Sequence, residues 1–587
     1  SLKVTDLQSG DARAVYKNSG MDMRTYKRLQ MFVHAEKLID DKTNLRDGDV
    51  SVFLRLGSDS KSNYYEYEVP LSLTEPGNYS TYNAQDQEAV WPQSNMFDFP
   101  LSLFTDLKLE RNAKKRMDNS TVTFQTRYSS YDPDKNQNKV TIVGNPSLSD
   151  VRTMMIGVRN NSNAAKDIVV WVNEMRLTDF DQSGGWAAKA NVNLGLSDIA
   201  TLNIAGHVET VGFGGIDQSL TERRLDDYYQ YNIATMVELG RFLPEKVKLK
   251  APLFYSITEQ RTSPKYNPLD QDILLKDALD NAGSKAERDS ISDASIEKST
   301  VESFSLSGVS FDIRSKNPMP YDPANFSISY SYNRQSKQDP TTEFENTYDY
   351  RGSFTYSYTP FVKPFVPLKG LKSKSKHLKF LKEWEFNYLP NNIAFNTNMS
   401  RYYYEQQIRD VSGSGGMALP TSVSKSFLWD RQFSLTWNLT KSINLSLQTM
   451  TNAHIEEPVG VVNKQLFPDE YEAWKDTVLT SIKNLGTPWN YNQTFNASYT
   501  APFSKIPVLD YLSFNAKYNA TYTWDRGAQI SEEIDLGNSV NNQGQLSFDG
   551  RFNFEQLYNK SKYLQKINKR FSSNNRAAAT AKKNRKF

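Results

Sequence analysis

Four histidines, His34, His207, His377 and His454, are the first groups to weigh for chemistry in a chain of 587 residues that contains no cysteine. A metal centre is preorganised by spacings such as HxH or HxxxH. These four lie far apart and read as isolated polar residues. Without cysteine there is no disulfide framework, thiolate metal site or cysteine nucleophile. The run DPDKNQN (132–138) sets Asp132, Asp134 and Asn136 like the opening of a calcium loop. Gln137 then stands where glycine is needed and Val143 where the bidentate glutamate is needed, so the run reads as a turn. VSGSGG (411–416) has glycines but no lysine and no strand-to-helix setting, and reads as a loop. Asp270, Asp272, Asp277 and Asp280 read as a solvated polar face, and Glu456 and Glu457 beside His454 form no acid–base arrangement. No nucleophile has a base and no phosphate cradle is present. The expectation is a protein that is not an enzyme, with no catalytic, cofactor-binding or metal-binding residue assigned.

What remains is the scaffold such groups would have needed. Lys and Arg number 70 and Asp and Glu 67, a net charge of +3 that argues against a chain built to neutralise nucleic acid. The longest apolar run is IVVWV at 168–172, far short of a helical membrane span. The mean hydropathy of −0.64 looks like that of a soluble chain. A membrane barrel hides from such averages, because each strand alternates apolar and polar residues. An aromatic share of 12%, with 33 Tyr and 31 Phe, favours strands.

In YLSFNAKYNATYTWD (511–525), Leu512, Phe514, Ala516, Tyr518, Ala520, Tyr522 and Trp524 alternate with polar residues. Successive strand side chains point to opposite faces, so one face of this segment is apolar and the other polar. The pattern recurs near 187–196, 200–209, 228–239, 246–257, 301–313, 324–334, 349–359, 391–402, 430–440, 441–450, 490–501 and 544–556. That makes about thirteen segments of the roughly ten residues a tilted strand needs to cross a bilayer. Their polar faces are small and uncharged, as in Ser327, Ser329 and Ser331 or Ser434, Thr436 and Asn438. Such groups suit a wet interior, and aromatic strand ends suit the membrane interface.

Short connections (197–199, 240–245, 314–323, 440–441, 502–510) alternate with long ones (210–227, 258–300, 335–348, 403–429, 451–489, 525–543), the habit of outer-membrane barrels with periplasmic turns and extracellular loops. The parity requires LPNN (389–392) to precede a single strand, which makes the lysine-rich 360–390 a long periplasmic excursion. It leaves 1–186 outside the cell and 557–587 in the periplasm. Residues 1–186 read as an extracellular β-sandwich, jelly-roll-like, with strands at 48–59, 64–71, 121–128, 153–160 and 167–179 and a helix at 101–116. Residues 187–556 read as the transmembrane strands. A short amphipathic helix is expected within 258–300, folded over the outer rim. The basic tail 557–587 reads as a periplasmic turn segment in an incomplete chain, since SLKVTDLQSG begins as if inside a domain and lacks a signal peptide. The fold class expected is all-β, part of a very large antiparallel transmembrane barrel.

WVNEMRLTDFDQSGGWAAKANVNLG (171–195), NIAGHVETVGFGGIDQ (203–218) and KVKLKAPLFYSITEQRTSPKYNPLDQDILL (246–275) resemble the outer-membrane translocon of the type IX secretion system, the SprA or Sov family. The resemblance implies export of folded cargo proteins to the cell surface, support of gliding motility, and an outer-membrane location. It also implies a PorV-like partner barrel at a lateral opening, a periplasmic plug protein and contact with outer-membrane lipid, with no nucleic acid. The pattern by itself leaves open another outer-membrane transporter, of lipopolysaccharide or TonB-dependent type, and a soluble β-sandwich adhesin.

Overall fold

The structure is a computed structural model and describes residues 1–219, 222–368, 370, 379–410, 419–527 and 536–571. The N-terminal strands are β1 (Leu2–Leu7), β2 (Ala12–Met21), β3 (Tyr26–Glu36), β4 (Val50–Gly57), β5 (Tyr64–Pro70), β6 (Phe97–Pro100), β7 (Tyr128–Tyr131), β8 (Lys139–Val143), β9 (Val151–Asn160) and β10 (Lys166–Phe180), with helices α1 (Ala84–Val90) and α2 (Ser102–Lys115). They form two sheets, in orders β1-β10-β3-β6 and β2-β9-β4-β5-β8-β7. Leu29, Met31 and Val33 of the first meet Leu54, Leu56 and Tyr65 of the second in one buried core. Tyr67 and Phe99 stack across it with ring centroids 3.9 Å apart. The strand expected at 121–128 is not there; the strand is Tyr128–Tyr131. Thr123 and Thr126 instead exchange hydroxyl and backbone hydrogen bonds, the local alternative that short polar side chains offer the chain.

The rest of the described chain is dominated by one sheet. Its strands are β11 (Ala187–Leu196), β12 (Ala200–Glu209), β13 (Asp226–Glu238), β14 (Leu249–Lys250), β15 (Pro252–Pro264), β18 (Glu297–Phe311), β19 (Phe326–Gln338), β20 (Thr342–Tyr358), β21 (Asn392–Ile408), β22 (Ser422–Asn438), β23 (Ile443–His454), β24 (Thr487–Thr500), β25 (Leu512–Asp525) and β26 (Ser539–Phe552). Apart from the short β14, which pairs with β18, each strand pairs antiparallel with its sequence neighbours from β11 to β26. Between β15 and β18 lie β16 (Tyr266–Asn267), β17 (Asp270–Leu274), α3 (Leu275–Asp280) and α4 (Lys285–Ser295); further on come α5 (Lys379–Lys382), α6 (Pro468–Lys483) and α7 (Phe554–Tyr558).

Most of these strands reach further toward the long connections than alternation indicates. The segment expected at 430–440 is Ser422–Asn438, and the connection expected at 335–348 shrinks to Asp339–Thr341. There both faces carry polar residues, so the backbone ladder continues after the apolar signal has ended. The segment expected at 246–257 begins instead at Pro252, after a 3-10 turn and Lys248 in the left-handed region.

Candidate functional site

The register of the ladders decides what each face of the large sheet presents. Directly opposed residues share a face. Val192, Ile204, Ile233 and Ile257 form one row across four strands. Tyr358, Ile393, Leu435, Leu447, Phe495 and Ala520 form another across six. Ile443, Tyr499, Ala516 and Phe548 carry it to the last strand. A bulge preserves the pattern in β18, where the register shifts between Leu306 and Val309. Gly308, at φ +61°, supplies the left-handed residue this needs, and Val309 is thereby returned to the row of Ile328.

The opposite face is short and polar. Asn232 donates to Thr258 at 2.7 Å and Thr355 to Asn396 at 3.0 Å, and Ser305, Ser331, Asn496 and Asn519 stand in the same layer. Small uncharged groups of this kind hydrate without holding any one solute tightly, which suits passage rather than binding.

No second sheet stacks on either face among the described residues. Tyr518, Leu546 and Phe548 on the apolar face are 41%, 59% and 64% exposed. An apolar surface of this extent on a protein in water marks an interaction surface. Thirteen antiparallel strands also leave the two edges, β11 and β26, running the same way, and both are exposed along their whole length. Joining them directly would require a parallel pairing in an otherwise antiparallel sheet.

The β15–β18 connection is clamped to the N-terminal sandwich. The Lys108 ammonium from α2 lies between Asp270 and Asp272, bonded to Asp270 and 2.8 Å from an Asp272 oxygen. Tyr65 donates to the other Asp272 oxygen at 2.6 Å, and the Leu148 backbone N–H donates to it at 3.1 Å. Burial pushes the Asp270 carboxyl above the ordinary carboxylate range, partly offset by Lys108. Burial also pushes the Tyr65 hydroxyl well up, with Asp272 adding to it, so Tyr65 stays a donor. Around this centre Arg24 reaches the Gln271 carbonyl at 2.9 Å, Arg116 pairs with Glu287 at 2.6 Å, and Lys265 pairs with Asp181 at 2.7 Å. The two bonds to Asp181 from Lys265 and Ser183 hold its carboxyl well below its ordinary value.

Asp272 is therefore a buried counterion and Asp270 a half-buried one, and they are not the solvated face their spacing suggests. The missed signal lies in α2, where Phe104, Leu107, Lys108 and Arg111 fall on one helical face and all are buried. Two cations inside an apolar stripe demand partners from elsewhere in the chain. The helix expected within 258–300 is present as α3 and α4, and its connection docks on the sandwich.

At the same end of the sheet, the β23–β24 connection folds back over the apolar face. Arg401 pairs with Glu457 at 2.7 Å, and the Trp474 indole of α6 donates to that same Glu457 oxygen at 2.8 Å. Lys425 donates to the carbonyls of Pro458 and Gly460, and Tyr403 accepts from the Val462 N–H at 3.1 Å. Glu457 thus anchors a loop. Glu456 accepts from Thr487 and His454 lies apart from both acids' bonds.

His34 contacts the Val90 carbonyl at 2.6 Å, His207 faces Glu209 at 3.0 Å, and His377 and VSGSGG lie outside the described residues. Asp132 is buried, accepting from Tyr67 at 2.5 Å, in a turn closed by bonds from Lys135 and Asp134. No group of three or more potential metal ligands occurs among the described residues. Among them, too, no helix is long and apolar enough to cross a membrane, which says nothing of a β-barrel.

Residues 1–279 match a family model, SprA_N, described as a motility related/secretion protein. That match supports a SprA-like family and a role related to motility or secretion. The matched stretch takes in the sandwich, the first strands of the large sheet and the aspartates of the clamp. No curated protein matches the chain. Among solved structures, the closed form of the ferric-catecholate import receptor Fiu from K12 E. coli aligns at 10% identity over 67% of this chain and 69% of that one, with a TM-score of 0.20, a weak likeness.

Proposed function

We propose that the chain is part of a protein-conducting outer-membrane translocon of the type IX secretion system, with the large sheet forming a wall of its barrel. The observation that carries this reading is the single-layered sheet with one mainly apolar face and one mainly polar face rich in serine, threonine and asparagine. In water that apolar face would have to be covered by a second layer; in a bilayer it is satisfied as it stands. The free edges β11 and β26 would each expose unpaired backbone groups to lipid at several kcal/mol apiece, so further strands pair with both. A barrel with more strands than these thirteen approaches or exceeds porin width and can pass a folded domain instead of a solute. Passage is passive and involves no chemistry by this chain.

In this reading the short turns face the periplasm and the long loops and sandwich face outward. The partners are secreted cargo proteins, a PorV-like barrel at a lateral opening and a periplasmic plug, both of which a pore this wide needs against leakage. The test is extraction of the native protein followed by imaging of the detergent-purified particle. A detergent-dependent ring wider than a porin, and loss of surface cargo when the protein is depleted, are expected. Partition into buffer without detergent ends the reading.

A further inference from the structure

The two rims of the large sheet differ in charge and in apolar exposure. On the long-connection rim, 265–296 carries seven acidic residues against four basic ones, and 455–486 carries six against three. On the short-connection rim the balance reverses. Segment 359–391 holds seven lysines against Glu383 and Glu385, 239–251 holds Arg241, Lys246, Lys248 and Lys250 against Glu245, and 553–571 holds five basic residues against Glu555. Lys246, Lys248, Lys316 and Lys363 are exposed, and none pairs with a carboxylate among the described residues.

Beside these lysines the same rim turns large apolar side chains to the outside. Phe242, Tyr321, Phe361, Trp384, Val508 and Tyr558 are exposed by between 46% (Trp384) and 73% (Tyr321). They come from five different segments of the chain, with Phe361 and Trp384 sharing 359–391, so the belt runs along the rim and is not a local patch.

The segment 383–391 is also turned toward the apolar face of the sheet. Trp437, which stands on that face next to Leu435, donates from its indole to the Asn387 carbonyl at 2.8 Å. Asn387 donates to the Asn438 carbonyl at 2.6 Å and to that of Leu439 at 2.9 Å. Glu385 pairs with Lys441 at 2.5 Å and Glu383 with Lys505 at 2.9 Å. The two acids of the segment are thus spent on holding it in place, and Lys363 pairs with no carboxylate among the described residues. Residues 369 and 371–378 lie outside the description, and only their charge enters here.

We infer that the short-connection rim is a collar that binds the headgroup layer of anionic phospholipid, with Lys246, Lys248, Lys316 and Lys363 facing the phosphates and Phe361, Trp384 and Tyr388 seated at the boundary with the acyl chains. Aromatic belts settle at that depth, and basic residues next to them are drawn to anionic headgroups. The acidic rim at the other end has no such affinity, so the collar also fixes which way the wall faces. The inference deepens the membrane reading and rests on it.

The test uses the full chain in detergent, titrated with phosphatidylglycerol or phosphatidylcholine brominated on the acyl chain. The signal is the part of tryptophan quenching that is lost in Trp384→Phe. Brominated phosphatidylglycerol should quench Trp384 at about tenfold lower lipid than phosphatidylcholine, and K246Q/K248Q/K316Q/K363Q together should abolish the difference. Equal dependence on the two lipids, or a preference untouched by the four substitutions, overturns the collar while quenching of Trp429 and Trp437 leaves the membrane reading standing. Quenching of no tryptophan by either lipid overturns both.

Discussion

Lys108 and Asp272 meet at 2.8 Å with neither side chain exposed, although 164 positions separate them in the chain. The pair joins the sandwich to a connection of the large sheet, so it fixes where the sandwich sits over one rim. Removing the cation strands the half-buried Asp270 and buried Asp272 carboxylates, a change on the order of 3–5 kcal/mol. Lys108→Met should therefore release 265–296, seen as faster amide exchange and new proteolytic cuts there. Lys114→Met, which breaks the exposed Lys114–Glu110 pair, should leave the exchange and cleavage pattern of 265–296 unchanged.

Acid should act on the sandwich through two groups with opposite signs. Burial raises the Glu66 carboxyl, but Arg159, Arg55 and Arg127 more than offset it and hold it below its ordinary 4.5. Unfolding then takes up a proton, so the stabilisation from Glu66 is complete above 4.5 and is lost as pH falls through its folded value. Asp270 is raised above 3.8, so its contribution is present below 3.8 and is lost as pH rises through its folded value. In thermal scans across the acid range, Glu66→Gln should flatten the loss of stability on acidification. Asp270→Asn should steepen it, and equal slopes in both variants would contradict the assignment.

The large sheet was legible because its fold is written in a period of two that repeats. Each of its thirteen long strands follows from alternation, and Leu512–Asp525 agrees with the pattern almost to the residue. The sandwich was less so. β2 (Ala12–Met21) has a mixed sequence and is exposed along nearly all its length, which leaves no pattern to detect. β3 (Tyr26–Glu36) carries Arg28 and Gln30 toward Asp98 on its outer face, and only the position of β6 shows why. The clamp was illegible for a different reason: Asp270 and Asp272 look like any polar loop until Lys108 is placed beside them, and that placement is long-range.

Arg401 stands on the apolar face with its guanidinium 4.9 Å above the Trp474 ring and its Nε on Glu457. Glu457→Gln leaves the Arg401 cation without its counter-charge, and Arg401→Met leaves the Glu457 carboxylate without its own. Each single change strands a charge and should loosen 455–486, whereas the double variant removes both charges and should loosen it by less than the sum of the two. Rates of protease cleavage within α6 in detergent-purified protein read the three variants, and additive losses would count against the loop's being held by this pair.

The last prediction separates the two faces within one strand. In β25, Phe514 and Tyr518 lie in rows with Gly550 and Leu546, while Asn515 and Asn519 lie in rows with Asp549 and Gln545. If the first rows face lipid, an arginine at Tyr518 brings a charge to the acyl layer at about 2–4 kcal/mol, whereas an arginine in the wet layer changes little. Tyr518→Arg and Phe514→Arg should then impair assembly into the outer membrane, and Asn515→Arg and Asn519→Arg should assemble normally. Heat-modifiable mobility on gels and the amount recovered in outer-membrane fractions read the difference. Equal recovery of all four would mean that the aromatic face meets something other than lipid, because both substitutions in each pair add the same charge to the same strand and differ only in which side it emerges.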